Sequence, residues 1–367
     1  MGILSEIKTP TLLLDERKCR ANIRSMAAKA RRNGCIFRPH FKTHQSRMIG
    51  GWFRDCGVDK ITVSSLRMAQ YFAADGWRDI TVAFPVNIRE IAAINELARR
   101  IRLNLLVAGP EAAGFLDHAL AQTCGFFVKI DTGYHRTGIR AEDTSAVTRL
   151  LKRIRNPRLV FRGFLTHAGH TYAAGSTTEI LRIHDQTIRQ LAGLKRRFAP
   201  FYPNLIVSLG DTPACSIAED FRGGDEIRPG NFVFYDVMQA MLGACLTDQI
   251  AVCLACPIVA KDRRRRELII YGGAVHLSKE SLNVAGGHRI YGLAVAFRKR
   301  SWSLPLPNTR VVHLSQEHGI IRTDVRGFQR FAVGDLIGVL PIHSCLTADL
   351  MRGYLTWHGD RIDYLPR

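Results

Sequence analysis

The chain has 367 residues, more than one average domain, and 46% of them are hydrophobic, which is enough for large cores. It has no run of 18 apolar residues, and its start is too polar and short for a secretory signal, so neither a membrane-spanning helix nor export is expected. The net charge of +20 would suit a nucleic-acid or membrane partner, but no nucleic-acid motif accompanies it, so a basic surface that draws anionic substrates is favoured.

The first two thirds of the chain alternate short apolar runs with longer amphipathic ones. Helices are predicted where apolar residues recur at three- and four-residue spacing, as in Glu16–Arg32, Arg67–Ala74, Ile88–Arg100, Ser145–Arg155 and Glu179–Phe198. Strands are predicted at 35–42, 59–65, 79–85, 102–108, 125–131, 159–167, 204–210 and 231–236. Eight strands alternating with helices predict an α/β fold, a (β/α)8 TIM-like barrel, over residues 15–245.

The pattern changes after about residue 245, where Gly, Pro and basic turns separate short apolar runs. Strands are predicted there at 250–260, 267–271, 289–297, 309–315, 336–340 and 354–358, and no long helix is expected. Arg263–Arg266 is predicted to form a hairpin tip. We therefore predict a C-terminal all-β domain over residues 246–367. Thr9–Leu14 also has a strand pattern, so residues 1–14 could join either domain.

The nine cysteines form an odd-numbered, scattered set, which is typical of free thiols in a reducing cytoplasm. Cys253 and Cys256 have the spacing of half a zinc knuckle. No second pair follows, and the segment has the pattern of a plain apolar strand, so a knuckle is not favoured. The sequence predicts a cytoplasmic protein.

Lys42 ends the first predicted strand within Phe37-Arg-Pro-His-Phe-Lys-Thr-His44. Two imidazoles and an arginine are close in sequence, and nearby positive charge makes a lysine release its proton more easily. A free amine can attack an aldehyde and hold it as a Schiff base, as lysines do with pyridoxal phosphate. The alternative is a solvated surface lysine at a strand end.

Polar, glycine-rich segments follow the later barrel strands at Asp131–Gly138, Thr166–Tyr172, Ser208–Pro213 and Arg228–Asp236. Because the carboxyl ends of barrel strands form one mouth, these segments should converge on an active site. Arg136 could contact a phenolate or carboxylate there, with a surface arginine as the alternative.

The turn Gly210-Asp211-Thr212 suits a phosphate, because glycine lets the backbone approach and N–H groups and a hydroxyl can donate. Asp211 sits awkwardly beside a dianion, so the backbone and Thr212 are the expected donors. The alternative is an ordinary turn in which Asp211 caps a helix.

His343 and Cys345 are two residues apart and would share one face of a strand. An imidazole beside a thiolate makes half a metal site, and sulfur favours zinc over magnesium. A buried His and Cys without metal is the alternative. The sequence lacks G-x-G-x-x-G, G-x-x-x-x-G-K-[ST], H-E-x-x-H and G-x-S-x-G, so dinucleotide, nucleoside-triphosphate and serine-hydrolase functions lose support.

Together these motifs resemble those of the fold-type III pyridoxal-phosphate enzymes, in the D-serine dehydratase and D-threonine aldolase branch. The matching segments run in family order over nearly the whole chain: Arg38–His44, Val63–Ala69, Asp131–Gly138, His167–Tyr172, Val207–Pro213, Arg228–Asp236, Ser315–Gly319 and Pro341–Cys345. Two segments depart from the family pattern. Asp211 stands where a serine is common, and Tyr271–Lys279 is not the expected dehydratase pattern.

The resemblance implies an alanine-racemase-like barrel, a C-terminal β domain and a homodimer. Lys42 would be the Schiff-base lysine, and His343 and Cys345 would hold a divalent metal, zinc in preference to manganese or magnesium. The implied cofactor-binding residues are Lys42, Arg136, His167, Tyr172, Gly210, Asp211, Thr212, Gly230, Asn231 and Tyr235, with Lys42 and His167 as catalytic candidates.

The predicted activity is elimination from a D-β-hydroxy amino acid, giving a keto acid and ammonia. Lys42 would act as base at Cα, and the metal would bind the leaving hydroxyl. In the aldolase alternative, a base such as His167 removes the hydroxyl proton and Cα–Cβ cleavage gives glycine and an aldehyde. A racemase, a non-enzymatic pyridoxal-phosphate carrier and a nucleic-acid binder are the remaining alternatives; the first two require no metal.

Overall fold

The computed structural model describes residues 2–284 and 286–366. Its strands, in chain order, are β1 (Thr11–Leu14), β2 (Ile36–Phe37), β3 (Lys60–Val63), β4 (Asp79–Pro85), β5 (Arg102–Val107), β6 (Cys124–Asp131), β7 (Ile139–Arg140), β8 (Leu159–Leu165), β9 (Ile206–Leu209), β10 (Glu226–Ile227), β11 (Val252–Asp262), β12 (Glu267–Tyr271), β13 (Leu282–Val284), β14 (His288–Ile290), β15 (Gly292–Val295), β16 (Phe297–Arg298), β17 (Ser301–Trp302), β18 (Arg310–Leu314), β19 (His318–Arg322), β20 (Leu336–Pro341), β21 (Tyr354–Thr356) and β22 (Arg361–Ile362).

The α-helices are α1 (Glu16–Arg32), α2 (Arg47–Arg54), α3 (Leu66–Ala74), α4 (Ile91–Ala98), α5 (Pro110–Ala119), α6 (Thr144–Lys152), α7 (Thr177–Phe198), α8 (Thr212–Ile217), α9 (Val237–Met241), α10 (Ala274–Leu277), α11 (Val325–Arg330) and α12 (Ser344–Met351). α7 illustrates their local chemistry. Ser176 accepts a hydrogen bond from the N–H of Glu179 at 3.1 Å, and Glu179 accepts one from the N–H of Gly175 at 2.8 Å. These bonds satisfy N–H groups that a helix start leaves unpaired, so Ser176 fixes where the helix begins.

The chain forms two compact units, Arg24–Gly230 and Met1–Ile23 with Asn231–Arg367. The first unit contains a parallel sheet in the order β2-β10-β9-β8-β6-β5-β4-β3. An isolated parallel bridge between His40 and Thr62 joins its two end strands. The predicted (β/α)8 barrel is therefore confirmed, with strands buried on both faces, as parallel sheets require.

The second unit contains an antiparallel sheet in which β1 pairs with β11. β12 pairs with both β11 and β19, so β12-β19-β18-β15-β20-β11 closes on itself. The predicted all-β architecture is thus confirmed, and Arg263–Arg266 forms the predicted hairpin tip between β11 and β12. The exact domain boundaries at 15–245 and 246–367 stay a prediction.

The predicted eighth barrel strand at 231–236 is wrong. Asn231–Val233 forms a 3₁₀ turn, and the eighth position is taken by β10, Glu226–Ile227. The apolar run Phe232–Tyr235 is fully buried and looks like a strand by composition. A short buried apolar run cannot be assigned by periodicity alone, and Tyr235 takes a φ of 51°, which a strand excludes.

A buried ionic network crosses the barrel interior between β2, β4 and β10. Arg38 donates through Nε to Glu226 Oε2 at 2.6 Å and through Nη1 to Asp79 Oδ1 at 2.6 Å. Ser208 Oγ donates to the second oxygen of Glu226 at 2.6 Å. Glu226 is completely buried, so Arg38 supplies the charge that keeps its carboxylate stable there.

We expect Arg38→Leu to lower the free energy of unfolding by about 3–5 kcal/mol, because it leaves the Glu226 charge buried and unpaired. Urea unfolding of the barrel measures this loss. Arg102→Leu is the matched control, since Arg102 also faces Asp79, at 3.5 Å, but is 66% exposed. Its loss should stay within about 1 kcal/mol. If both variants lose the same free energy of unfolding, burial of the Arg38 ion pairs does not determine their contribution to stability.

Candidate active site

Lys42 lies in a tight turn after β2 that is tied to neighbouring segments on both sides. The N–H of His40 donates to the Pro229 carbonyl at 2.9 Å, and the N–H of Phe41 donates to the Thr62 carbonyl at 2.9 Å. Phe41 is completely buried, whereas Lys42 is exposed. The turn therefore fixes the Lys42 backbone and leaves its amine at the carboxyl end of the strand, as the sequence predicts.

The groups next to Lys42 in sequence do not all surround its amine. Arg38 is directed into the buried ionic network with Asp79 and Glu226, not toward the amine. His44 is buried against Phe41, with ring centroids 4.4 Å apart, and accepts a hydrogen bond from the N–H of Ser46 at 3.1 Å. Both side chains therefore contact the core, and the predicted crowding of Lys42 by Arg38 and His44 stays a prediction.

Two other histidines feel the Lys42 charge. Desolvation lowers the pKa of His40 well below its ordinary value, and the positive charges of Lys42 and Arg228 lower it further. Desolvation likewise lowers the pKa of His167 to about 3, with Lys42 as the next cause that lowers it. Both imidazoles are therefore neutral at neutral pH, and His167 lies within electrostatic reach of Lys42.

His167 links the ends of β8 and β9. Its Nδ1 lies 2.7 Å from the Gly210 carbonyl oxygen. A carbonyl can only accept, so Nδ1 carries the hydrogen and the neutral ring has its lone pair on Nε2. The Tyr134 and Tyr172 rings flank it, with centroids 5.8 and 6.2 Å away. His167 is thereby oriented as a weak base at the barrel mouth.

The turn Gly210–Thr212 contains the helix cap named above as the alternative to a phosphate site, and the phosphate contact stays a prediction. Asp211 caps α8, accepting from the N–H of Ala214 at 2.7 Å and from Thr171 Oγ1 at 3.0 Å. Its carboxylate is thus directed into the turn, and burial raises its pKa. The N–H of Thr212 donates to Tyr172 Oη at 3.4 Å. The buried Thr212 hydroxyl has no hydrogen-bond partner within the described part of the chain, so it can donate to a ligand.

Two glycines let neighbouring protein groups pack closely against this turn. A Cβ on Gly210 would lie 3.1 Å from the Arg228 guanidinium carbon, and one on Gly230 would lie 2.9 Å from the His40 carbonyl oxygen. Arg228 is buried and donates through Nε to Ser208 Oγ at 2.6 Å and through Nη2 to the Thr166 carbonyl. Burial lowers its pKa to about 10. Arg228 therefore braces the strand ends that carry His167 and Gly210.

Lys129 is a buried lysine near the end of β6 and was not among the residues predicted from the motifs. It is only 5% exposed and donates through Nζ to the Ile130 carbonyl at 2.9 Å. Desolvation, followed by the charges of Arg228 and Arg136, lowers its pKa to about 7. The signal was present, because Lys129 is the one charge within the apolar stretch Phe126–Ile130 of a buried strand.

Arg136 projects from the loop after β6 and is exposed, with its guanidinium 5.1 Å from the Tyr134 ring centroid. Asp131 shapes this loop by accepting from the N–H groups of Gly133 and His135, both at 3.0 Å. The Arg136 charge contributes to the lowered pKa of His167. Arg136 therefore belongs to the same mouth as Lys42 and His167.

The second unit holds a separate polar cluster around His343 and Cys345. These residues begin α12, with His343 at its cap, so the predicted strand geometry is wrong. They nevertheless meet, because their side chains hydrogen-bond to each other. Desolvation alone would lower the pKa of His343, but the Cys345 thiolate, together with Asp236 and Glu280, raises it to about 9.

Asn231 and Asp236 support this pair. Asn231 Nδ2 lies 2.6 Å from Asp236 Oδ2 and 3.5 Å from Cys345 Sγ. Asp236 also accepts from the N–H of Ser344 at 3.0 Å. The Asn231 side chain is therefore committed to the His343–Cys345 cluster, and its predicted phosphate contact, like that of Tyr235, stays a prediction.

The described residues include no group of three or more His, Cys, Asp or Glu side chains arranged to hold a metal. His343 and Cys345 supply one nitrogen and one sulfur donor already in contact, which suits zinc but fills only half of a tetrahedral shell. The pair therefore fits a divalent metal as two of its donors. Within residues 2–284 and 286–366, no helix has the length and apolar character to cross a membrane.

Comparison with known families divides the chain as the motifs do. Residues 14–237 match the family model described as "Alanine racemase, N-terminal domain", and residues 251–357 match that described as "Putative serine dehydratase domain". The D-serine dehydratase of Dictyostelium discoideum is 28% identical over 97% of this chain and 95% of the relative. The D-threo-3-hydroxyaspartate dehydratase of a Delftia species is 27% identical over 97% and 96%.

Solved structures share the fold of this chain. The structure of the Delftia enzyme superposes with a TM-score of 0.92 at 24% identity, covering 99% of both chains. A cysteine-to-alanine mutant of that enzyme, described as the metal-free form, superposes with a TM-score of 0.90 at 25% identity, again over 99% of both chains.

Proposed function

Because the chain belongs to the alanine racemase N-terminal domain family, as its motifs predict, we propose that it is a pyridoxal-phosphate- and metal-dependent lyase that eliminates water from D-3-hydroxy amino acids. The observation that carries the proposal is the pairing, in one chain, of an exposed lysine beside a neutral histidine with a contacting His–Cys pair. Similarity to two dehydratases over nearly the full length supports it.

The barrel residues fit pyridoxal phosphate. Thr212 offers a buried hydroxyl that has no hydrogen-bond partner among the described residues, and Lys42 presents an exposed amine at the carboxyl end of a barrel strand. When bound, pyridoxal phosphate supplies an electron sink that makes the Cα–H bond of an amino acid acidic. The Thr212 hydroxyl would donate to the phosphate, and Lys42 would hold the cofactor covalently.

Lys42 and His167 have separable roles in proton movement. Once its amine is released, Lys42 Nζ would accept the proton from Cα of the substrate. His167 is held by Gly210 with Nε2 unprotonated, and its pKa of about 3 makes it a poor acceptor. We therefore assign His167 to orienting the substrate and Lys42 to the proton transfer.

The His343–Cys345 pair would supply a Lewis-acid site. A divalent metal held by the imidazole and thiolate would polarise the substrate hydroxyl and stabilise it as it leaves. A thiolate ligand favours zinc over manganese or magnesium, and zinc is the metal we propose. Asp236 would orient the site through its bonds to Asn231 and Ser344. A homodimer and a cytoplasmic location stay predictions.

The products decide between elimination and carbon–carbon cleavage. We expect D-serine, D-threonine and D-threo-3-hydroxyaspartate to give a keto acid and ammonia faster than glycine and an aldehyde, and the L-isomers to be inert. One assay couples keto-acid formation to its reduction, and a parallel assay couples aldehyde formation to its reduction, on the same enzyme. If glycine and an aldehyde are the main products, the aldolase alternative replaces the dehydratase proposal. If the substrate is racemised and neither set of products forms, a racemase is favoured.

A further inference from the structure

The antiparallel sheet of the second unit carries a strongly basic pocket of about 480 Å³. The residues that give it its character are Glu267, His288, Arg289, Arg310, His313 and Arg322; we call it the basic pocket. We propose that the basic pocket binds a small phosphate-bearing molecule. Its volume lies in the range of about 300–1,000 Å³ that is usual for ligand sites. This proposal does not depend on the lyase activity.

Strand register gathers the charges on one face. Arg310 of β18 is directly opposite Arg322 of β19, and Arg322 is directly opposite Glu267 of β12. A register irregularity between Val311 and His313 places His313 opposite Ile320. Because Ile320 and Arg322 are two residues apart, they share a face, and the extra residue in β18 brings both Arg310 and His313 to it.

The carboxylate in the basic pocket is already used. Glu267 is buried and accepts from Arg322 Nη2 and from Arg265 Nε, both at 2.8 Å. Burial would raise the pKa of Glu267, but its bonds to these arginines lower it below the ordinary value. Glu267 is therefore ionised and neutralised, and it has no charge left to balance the other arginines.

Two guanidinium groups remain unbalanced. The side chains of Arg289 and Arg310 have no hydrogen bond or ion pair to any other residue in the described ranges 2–284 and 286–366. Arg310 is half-buried and directly opposite Arg322, an arrangement of like charges that destabilises a sheet. An anion bound next to Arg310 would reduce the repulsion between Arg310 and Arg322.

The number and shape of the free charges define the ligand. A phosphate monoester carries a charge of about −1.5 to −2 at pH 7, which matches two guanidiniums, and its oxygens suit their forked donors. The charges line a concave pocket instead of a long stripe, which favours a small molecule over a nucleic acid.

Isothermal titration of the pyridoxal-phosphate-loaded protein with inorganic phosphate tests the proposal, because the cofactor's own phosphate site is then filled. We expect one phosphate to bind per chain, binding to weaken about tenfold or more in Arg310→Gln and in Arg289→Gln, and no such change in the control Arg361→Gln. Arg361 is exposed in β22, so the control removes the same charge elsewhere. Succinate, a dicarboxylate, should bind more weakly than phosphate.

Equal weakening in the control would mean that only net charge matters, and unchanged binding in Arg310→Gln would exclude the basic pocket; either result overturns the proposal. Preference for succinate, or tight salt-sensitive binding of a short DNA duplex that Arg310→Gln abolishes, would overturn the ligand class. The Tm of each variant, measured without phosphate, shows whether the variant is folded. Arg310→Gln should not lower the Tm, because it relieves the Arg310–Arg322 repulsion.

Discussion

Lys42→Ala is expected to abolish covalent retention of pyridoxal phosphate and to lower lyase turnover by about 10³-fold or more, since one amine is proposed both to hold the cofactor and to move the Cα proton. The fold should survive, because Lys42 is exposed and the turn that carries it is held by backbone bonds of His40 and Phe41.

Borohydride reduction of the loaded protein, followed by peptide mapping, measures the attachment directly. Lys129 of the barrel is a second lysine that could react with the cofactor aldehyde, because its pKa of about 7 leaves it partly unprotonated at neutral pH. Lys129 is buried, however, and its amine is bound to the Ile130 carbonyl. Label on Lys129 would falsify the assignment of Lys42. Lys152→Ala, at an exposed helix position, is the control and should retain both label and activity.

Cys345→Ala should lose the bound metal and lower lyase turnover by about 10²-fold or more, while the protein keeps its cofactor. The reason is that the imidazole and thiolate of the His343–Cys345 pair lie in the second unit, whereas the proposed cofactor residues Lys42 and Thr212 lie in the barrel unit. Elemental analysis gives the metal content, and cofactor absorbance gives retention independently of activity.

Chelation of the unmodified protein should reproduce the Cys345→Ala result and be reversed by added zinc. Cys56→Ala, which removes another half-buried thiol, is the matched control and should keep metal and activity. Full activity in metal-free protein would show that the His343–Cys345 pair is structural, and would strengthen the racemase alternative.

The barrel could be predicted because its longer elements repeat their patterns many times. Glu16–Arg32 is helical as predicted, since its apolar residues keep helical spacing over several turns and Asp15 accepts from the N–H groups that open it. β10, by contrast, has only two residues, too few to display any period. The sequence instead predicts the eighth strand in the buried run after Gly230. That run is apolar enough for a strand, but it ends at Tyr235, whose backbone is left-handed.

The location of polar motifs after the barrel strands was predictable, as for Lys42, His167 and Thr212, whose roles in a site stay predictions. It was not predictable where charged residues point into the barrel. Arg38 is paired with Glu226, which is 188 residues away, and that partner cannot be identified from local sequence. The contact between His343 and Cys345 was anticipated from spacing, but it arises at a helix start and not on a strand face.

The single bridge that closes the barrel also has a consequence for biosynthesis. Within the described residues, β2 and β3 are joined around the barrel by the pairing of His40 with Thr62, and the same histidine is held by the carbonyl of Pro229. Lys42 is among the first fifty residues to leave the ribosome, yet its turn is complete only after residue 229 has emerged and the most distant contacts have formed. A nascent or truncated chain would therefore present Lys42 without the contacts that fix its turn, and the proposed attachment of the cofactor would belong to the end of folding.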